Sequence, residues 1–425
     1  MDTYCTLPEW IFYLEHLHKK SIDLGLDRVN QVRVTLNLQP GFPIITVGGT
    51  NGKGSVCAIL STLLTEAGYK VGTYTSPHVL RYNERILVNL LPITDQEIVD
   101  NFFAVEVARQ ATTLTVFEFL TLAAVRHFMN QEVDVAILEV GLGGRLDAVN
   151  LFDADVSIVT NIDLDHCDLL GNTREAIGYE KAGILRPMRP AIIGDTNPPA
   201  SLMDHVKKIG AVPFIVGRDF WIKPHQTVWD LHINQTVYRN LKLTHLKATY
   251  QMGNAALALV AINKLHQQFP ISVKNIRQAF QQVKWPWRLQ CLMDGAQIVL
   301  DVAHNPHGVA QLVKELELLP KVHRQLAVFS MLSDKDIKAS IRMAGNHFDA
   351  WFIAGLPVER GMSSELIEGY FKEQGIKNVY CFDQIEGAWS AAKSSATVYD
   401  RIVVFGSFYT IAAIEKNRTE GLCQG

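Results

Sequence analysis

Several things are missing from this 425-residue chain, and each shortage removes a class of protein. Charge of one sign is not in excess. The 40 basic and 43 acidic residues leave −3, so no global field draws the chain to nucleic acid or to a membrane surface. An anionic substrate must be met by local positive groups. No apolar run is long enough to cross a bilayer; the greasiest stretches, such as Val133 to Val140, are interrupted by charge and have strand length. The N-terminus lacks a basic segment followed by an apolar one, so no secretory signal is expected. The six cysteines (Cys5, Cys57, Cys167, Cys291, Cys381, Cys423) form no CxxC pair, which favours a reduced cytoplasmic protein over a disulfide framework. No repeat or low-complexity tract is present, and the last few residues are expected to fray.

What remains is a soluble composition, 48% hydrophobic and 20% charged, on a chain long enough for two domains. Trp10, Leu14 and Leu17 give the first 25 residues a helical pattern. Ile44 to Val47 reads as a short β-branched strand. The loop Gly48-Gly49-Thr50-Asn51-Gly52-Lys53-Gly54-Ser55 follows, then one apolar helix face at Val56, Ile59, Leu60, Leu63, Leu64 and Ala67, and a strand at Val71 to Thr75. Strand, glycine loop, helix and strand make a βαβ unit. Val133 to Val140, Val156 to Ile162 and Ala191 to Gly194 are further strands, apolar throughout as in a parallel sheet covered on both faces. Thr115 to Met129 reads as a helix. Alternation from about Val212 to Leu243 predicts a small antiparallel insertion, and Asn254 to Leu265 a helix. The pattern breaks at Trp285-Pro286-Trp287-Arg288. Beyond it, strands at Ile298 to Val302, Gln325 to Phe329, Ala350 to Ala354, Val379 to Phe382 and Ile402 to Phe405 alternate with helices. The expected fold is α/β: an N-terminal P-loop nucleotide-binding domain with a mostly parallel sheet over 1–286, and a C-terminal Rossmann-like α/β domain over 287–425.

The glycine loop carries the first chemistry. Glycines let successive N–H groups wrap a phosphate, and the following helix adds its positive end. Lys53 would bridge the outer phosphates, and Ser55 would offer its hydroxyl to Mg²⁺. The strict GxxxxGK[ST] pattern is not met, because Val47 stands five before Gly52 and Gly54 separates Lys53 from Ser55; a glycine-rich turn with an exposed lysine is the bland alternative. Glu139 ends its strand, where an acid can hold Mg²⁺ directly or through water or can simply be exposed. His166, in Asp165-His166-Cys167-Asp168, follows another strand end, and ligands of open α/β sheets sit outside such ends. Glu139 and His166 are therefore expected to converge on the phosphates, although a lone histidine is more often structural. Lys181, in Glu180-Lys181-Ala182-Gly183, is either a phosphate-facing cation or a surface residue, since a protonated lysine has no acceptor for a metal.

Taken together, these segments resemble the folylpolyglutamate synthase and dihydrofolate synthase family, within the muramyl-ligase-like group, and above all its bifunctional bacterial type. The resemblance runs from about Trp10 to Ile414. It rests on Ile22 to Val29, on Gly49-Thr50-Asn51-Gly52-Lys53-Gly54-Ser55, on Thr75-Ser76-Pro77-His78 and on Leu138-Glu139-Val140-Gly141-Leu142-Gly143-Gly144-Arg145-Leu146-Asp147-Ala148. Glu180 to Ile184, Asp301-Val302-Ala303-His304-Asn305-Pro306-His307, Asp334-Lys335-Asp336 and Gly406-Ser407-Phe408 complete it. The resemblance implies an ADP-forming ligase that adds L-glutamate to dihydropteroate and to tetrahydrofolates. It implies ATP on Thr50 to Ser55 with Asn254, Arg288, Asp301 and His304. One Mg²⁺ would lie on Ser76 and Glu139 and a second on His166, with Lys181 carbamylated and so converted to an anionic ligand. The implied pteroate site comprises Asp23, Leu24, Gly25, Thr115, Val116, Phe117, Glu118, Leu146, Asp147 and Ala148. Phe117 would stack on the ring system and Arg81 would meet an anionic group. Lys335, Arg360 and Ser407 are candidates for the glutamate side.

In the implied reaction the substrate carboxylate takes the γ-phosphate and glutamate attacks the acyl phosphate, in a cleft that closes about Trp285 to Arg288. A monomer suffices, without nucleic acid or membrane. Two positions depart from the family pattern: Trp287 stands where glycine is usual, and Tyr250-Gln251 where His-Gln is common. A muramyl ligase acting on a UDP-sugar and a non-catalytic nucleotide-binding module are the rival readings.

Overall fold

The computed structural model describes residues 6–422, with side chains described as far as Arg418. The expectations for Cys5, for Cys423 and for the last three residues lie outside that range. The chain divides into two compact units. The first holds the residues up to Asp163 with Leu170–His245 and Tyr250–Lys284; the second holds Leu164–Leu169, Leu246–Thr249 and the chain from Trp285 onward.

In the first unit, eight strands form one sheet: β1 (Ile44–Gly48), β2 (Val71–Tyr74), β3 (Ile86–Val88), β4 (Leu91–Pro92), β5 (Val135–Glu139), β6 (Val156–Val159), β7 (Pro190–Ile193) and β8 (Val212–Ile215). Their order is β4-β3-β2-β5-β1-β6-β7-β8, parallel except for β2–β3 and β3–β4. Every residue of β1 and β5 is buried, because helices cover both faces and leave no polar side to alternate. β8 was expected in the antiparallel insertion, but it pairs parallel with β7. An edge strand is half exposed, so it alternates as a hairpin strand does. The insertion is the separate three-stranded sheet of β9 (Phe220–Pro224), β10 (Trp229–Ile233) and β11 (Thr236–Leu241).

The helix Lys53–Glu66 is buried on every side from Gly54 to Leu64, not on one face. It packs on β1, β2 and β5 and under the helices Gln251–Lys264 and Val273–Gln282. Two of its polar residues stay inside because they are partnered. Thr62 donates to the Ala58 carbonyl at 2.8 Å, and Ser61 accepts from Thr73 at 2.9 Å.

The second unit has β12 (Gln290–Asp294), β13 (Ala296–Leu300), β14 (Gln325–Phe329), β15 (Ala350–Ala354), β16 (Val379–Phe382) and β17 (Arg401–Phe405), in the order β12-β13-β17-β14-β15-β16. Only β12, which was not anticipated, is antiparallel. The core beside β14, β15 and β17 is aromatic: Trp351 lies 4.7 Å from Phe371, 4.8 Å from Phe348 and 5.8 Å from Phe329 between ring centroids.

At the head of this unit Trp287 has φ +59 and Leu289 φ +49. That region costs a bulky L-residue about 1–2 kcal/mol, and glycine nearly nothing, which gives a physical reason for the usual glycine at position 287. The conformation is held by hydrogen bonds: Leu289 N donates to Asp301 Oδ2 at 2.7 Å, Val302 N to the Trp287 carbonyl at 3.1 Å, and Trp287 N to Gln290 Oε1 at 2.9 Å.

Trp351 is fully buried, so Trp351→Ala is expected to destabilise the second unit by about 3–5 kcal/mol, read as a lower urea midpoint by near-ultraviolet circular dichroism.

Candidate active site

Parallel topology gathers the candidate residues of the first unit along one edge of its sheet. The glycine loop follows β1, Ser76 follows β2, Glu139 ends β5, and Asn161 follows β6, and these strands neighbour one another in the order β2-β5-β1-β6. Asn161 shapes the loop, and sequence reading missed it because the apolar run continues to Ile162. Its carbonyl accepts from Thr50 N at 2.9 Å and its Oδ1 from Asn51 N at 2.8 Å, while Thr160 Oγ1 donates to the Asn51 carbonyl at 2.6 Å. The Thr50 and Asn51 amides are thus engaged. The donors that remain characteristic of such a loop are those of the first turn of Lys53–Glu66, which have no intrahelical acceptor.

Gly52 turns at φ +87, and a Cβ there would stand 2.6 Å from Asn254 Oδ1. Glycine is required twice over. Asn254 Nδ2 donates to Gln251 Oε1 at 2.9 Å, and Gln251 Nε2 to the buried Ser55 hydroxyl at 3.2 Å. Gln251 is therefore the brace between the helix and the loop. Lys53 folds back, its Nζ 3.1 Å from the Gly49 carbonyl and 3.3 Å from that of Thr50.

Glu139 is buried and accepts from Ser76 N at 3.1 Å. The turn after it is set by Asp147, whose Oδ2 accepts from Leu142 N at 2.8 Å and Oδ1 from Val149 N at 3.0 Å. Burial pushes the Asp147 carboxyl up to about 7, against the amides of Leu142, Val149 and Gly141 and the Lys53 charge. Gly141 has no room for a side chain, because a Cβ would meet the Phe117 ring at 2.6 Å. Phe117 also lies 5.7 Å from Tyr74 and remains half-buried. Leu146 is half-buried and Ala148 buried. Lys181 is buried in the last turn of the helix Arg174–Ala182; its neighbour Glu180 pairs with Arg145 at 2.8 Å.

Two of the expected pteroate segments, those of Asp23 and Glu118, converge through a residue that sequence reading left out. Arg28 places Nη1 2.6 Å from Asp23 and Nη2 3.0 Å from Glu118. Burial acts to raise the Asp23 carboxyl, but a hydrogen bond from Lys20 and the Arg28 charge hold it below its usual range. Glu118 also closes a capping box with Thr115 at the start of Val116–Asn130, so both are structural as well as candidate contacts. Leu24, Gly25 and Val116 are half-buried beside them. Arg81 lies apart in an exposed pair with Asp95 at 2.8 Å.

In the second unit, Asp301 follows β13, Lys335 follows β14 and Ser407 follows β17, again the carboxyl ends of neighbouring strands. Burial raises the Asp301 carboxyl, opposed by the charge of Arg288 and by the amides of Leu289 and Ala303. The Arg288 guanidinium lies 5.4 Å from the Phe408 ring centre, and His304 5.8 Å from it. Ser407 is buried and bonded to Thr410, its Oγ 2.7 Å from the Thr410 hydroxyl and accepting from Thr410 N at 3.0 Å. His166 belongs to this unit's compact set. Its Nε2 is 3.0 Å from Lys335 Nζ and its Nδ1 3.8 Å from Asp334, which pairs with Arg360 at 2.5 Å. Burial, with the Lys335 ammonium, pulls the imidazole down to about 4. Asp165 accepts from Lys335 at 2.6 Å and from Asn305 at 3.0 Å; burial acts to raise it, but His304 and Lys335 hold it far below the usual carboxylate range.

Among the described residues no group of three or more His, Cys, Asp or Glu side chains forms a metal cage. Mg²⁺ is ordinarily held by one or two carboxylates, with phosphates and water completing its shell. A buried carboxylate at the end of β5, beside a phosphate-type loop, fits that requirement.

Residues 47–262 match the Mur ligase middle domain and 287–408 the Mur ligase glutamate ligase domain. The chain is 40% identical over 409 residues to the dihydrofolate synthase/folylpolyglutamate synthase of Escherichia coli, covering 96% of this chain and 94% of that protein. Among solved structures, E. coli FolC in complex with DHPP and ADP superposes with a TM-score of 0.93 at 38% identity, covering 99% of each chain. A bifunctional folylpolyglutamate synthase/dihydrofolate synthase with Mn, AMPPNP and L-glutamate bound gives 0.91 at 37%, again covering 99% of each.

Asp147 yields a test with a definite sign. Its folded pKa, near 7, lies above the unfolded value, so the folded state binds the extra proton between about pH 4 and 7. The stability that this group contributes falls as pH rises through that window. The advantage of wild type over Asp147→Asn in urea unfolding is therefore expected to shrink from pH 4 to pH 7 by about 1 kcal/mol or more. A constant difference would exclude the shift.

Proposed function

The chain belongs to the dihydrofolate synthase/folylpolyglutamate synthase family of Mur-type ligases, and from that premise we propose that it joins the carboxyl group of 7,8-dihydropteroate, and of tetrahydrofolates, to the amino group of L-glutamate while ATP becomes ADP. The observation that carries this reading is the placing of the Gly52 loop, Ser76 and Glu139 at the carboxyl ends of adjacent parallel strands. ATP and a divalent cation serve the reaction.

A carboxylate is a poor acylating agent, because its carbonyl is electron-rich and oxide is a poor leaving group. Transfer of the γ-phosphoryl group to a carboxylate oxygen gives an acyl phosphate and ADP. Attack by the glutamate amine forms the amide bond, breaks the C–O bond to phosphate and releases a proton. A divalent cation, when bound, neutralises charge developing on the phosphoryl oxygens.

The loop around Gly52 and Lys53 binds the triphosphate, with the Lys53 ammonium leaving the Gly49 and Thr50 carbonyls for phosphate oxygens. Glu139 and Ser76 hold one cation and His166 a second; Ser55 lends its hydroxyl. Asn254, Arg288, Asp301 and His304 complete the nucleotide contacts, while Asp23, Arg28, Phe117, Glu118 and Asp147 orient the pteroate. Lys335, Arg360 and Ser407 are the candidates for the glutamate side; Lys335 is already held by His166 and Asp165 and the Ser407 hydroxyl by Thr410, which makes these two the weaker members. Lys181 carries a carbamate, formed when its neutral amine adds CO₂ and loses a proton. The support is the match of Glu180-Lys181-Ala182-Gly183 to the family segment whose lysine bears that group; a carbamate, unlike an ammonium, offers oxygen to a cation. The protein works as a monomer in the cytoplasm, a compartment suited to the free thiols of Cys57, Cys167, Cys291 and Cys381.

Glutamate-dependent release of ADP and phosphate is expected with dihydropteroate and, separately, with tetrahydrofolate. AMP and pyrophosphate as products would rule the mechanism out, and turnover of a UDP-muramyl substrate instead would move the chain to the sister ligases. Lys181→Ala is expected to lose at least about 100-fold in kcat with an unchanged circular dichroism spectrum, and short carboxylates to restore part of it. Wild-type rates in that variant would remove the carbamate.

A further inference from the structure

The contact between Lys335 and His166 fixes more than a position. Lys335 Nζ lies 3.0 Å from His166 Nε2 and 2.6 Å from Asp165 Oδ1. An ammonium only donates, so the imidazole nitrogen it faces must present a lone pair. A neutral ring then carries its proton on Nδ1, the atom on the side of Asp334 at 3.8 Å. The backbone that carries the ring is fixed. It sits at φ +52, and the His166 amide donates to the same Asp165 carboxylate at 2.9 Å. Lys335 is itself confined, with a side chain only 4% exposed and its own amide on the Leu332 carbonyl at 3.2 Å.

We propose that Lys335 is a positioning residue that acts through His166. It fixes the imidazole in the tautomer with the proton on Nδ1, and it rests as an ammonium on the Nε2 lone pair that a divalent cation would take. Lys335 and the cation are then alternatives at one nitrogen. When the cation arrives Lys335 withdraws to Asp165, its other partner, and His166 ligates without first moving a proton. The purpose of the arrangement rests on reading His166 as a cation ligand; the tautomer does not. Which ring nitrogen carries the proton is set by what the other nitrogen meets, so removing the ammonium removes the bias.

The test uses the full chain labelled with ¹⁵N-histidine, free of nucleotide and near neutral pH, in a long-range ¹H–¹⁵N correlation spectrum. The His166 signals are identified by their loss in His166→Asn. Wild type is expected to show a pyridine-type Nε2 and a pyrrole-type Nδ1. Lys335→Met should shift His166 toward a protonated Nε2, and Lys335→Arg should retain the wild-type pattern. In a Mn²⁺ titration, His166 should broaden at a several-fold lower concentration in Lys335→Met than in wild type. A pyrrole-type Nε2 in wild type, an unchanged tautomer in Lys335→Met, or an equal or greater Mn²⁺ requirement in that variant would each overturn the proposal. If Lys335→Met does not fold, the wild-type spectrum decides alone. ADP release on the same wild-type preparation reports separately on the ligase reading.

Discussion

A carboxylate clamped by backbone amides is the interaction on which the loops after β2, β5 and β13 depend. Asp147 takes the amides of Leu142 and Val149 and so sets the turn that follows Glu139. Asp301 takes those of Leu289 and Ala303 and holds the entry to the second unit. Glu139 takes that of Ser76. A loop amide withdrawn from water needs an acceptor, and a buried carboxylate needs donors. Each satisfies the other, and the loop acquires one shape.

Much of this was legible in the sequence because parallel sheets write themselves plainly. Fully buried strands such as β1 and β5 read as unbroken apolar runs, and the glycine loop stands out between strand and helix. What was not legible has a common cause. β12 and β8 lie at sheet edges, where half exposure mimics a hairpin or a loop. Asn161, Gln251 and Arg28 are polar residues whose partners stand far away in the chain, and no local pattern announces a hydrogen bond to Asn51, Ser55 or Glu118. The helix Lys53–Glu66 departs in the opposite direction. One apolar face was expected to be buried, yet the helix is buried all round from Gly54 to Leu64, with the Ser61 and Thr62 hydroxyls satisfied internally.

Trp287 shows how a departure can be absorbed. The backbone there keeps the left-handed turn that glycine adopts without strain, and three hydrogen bonds around Asp301 and Gln290 hold a bulky residue in it. The motif's geometry survives the loss of its usual residue because the neighbours enforce it.

The close approach of Gly52 to Asn254 has a consequence for biogenesis. The left-handed bend of the glycine loop at Gly52 lies against a side chain about two hundred residues downstream, on a helix that together with Val273–Gln282 covers Lys53–Glu66. As the chain leaves the ribosome, this wholly buried helix must therefore wait through much of synthesis for its cover. Long-range closure of this kind is slow and leaves apolar surface open in the interval, so the helix lacks its full cover until residue 282 has emerged.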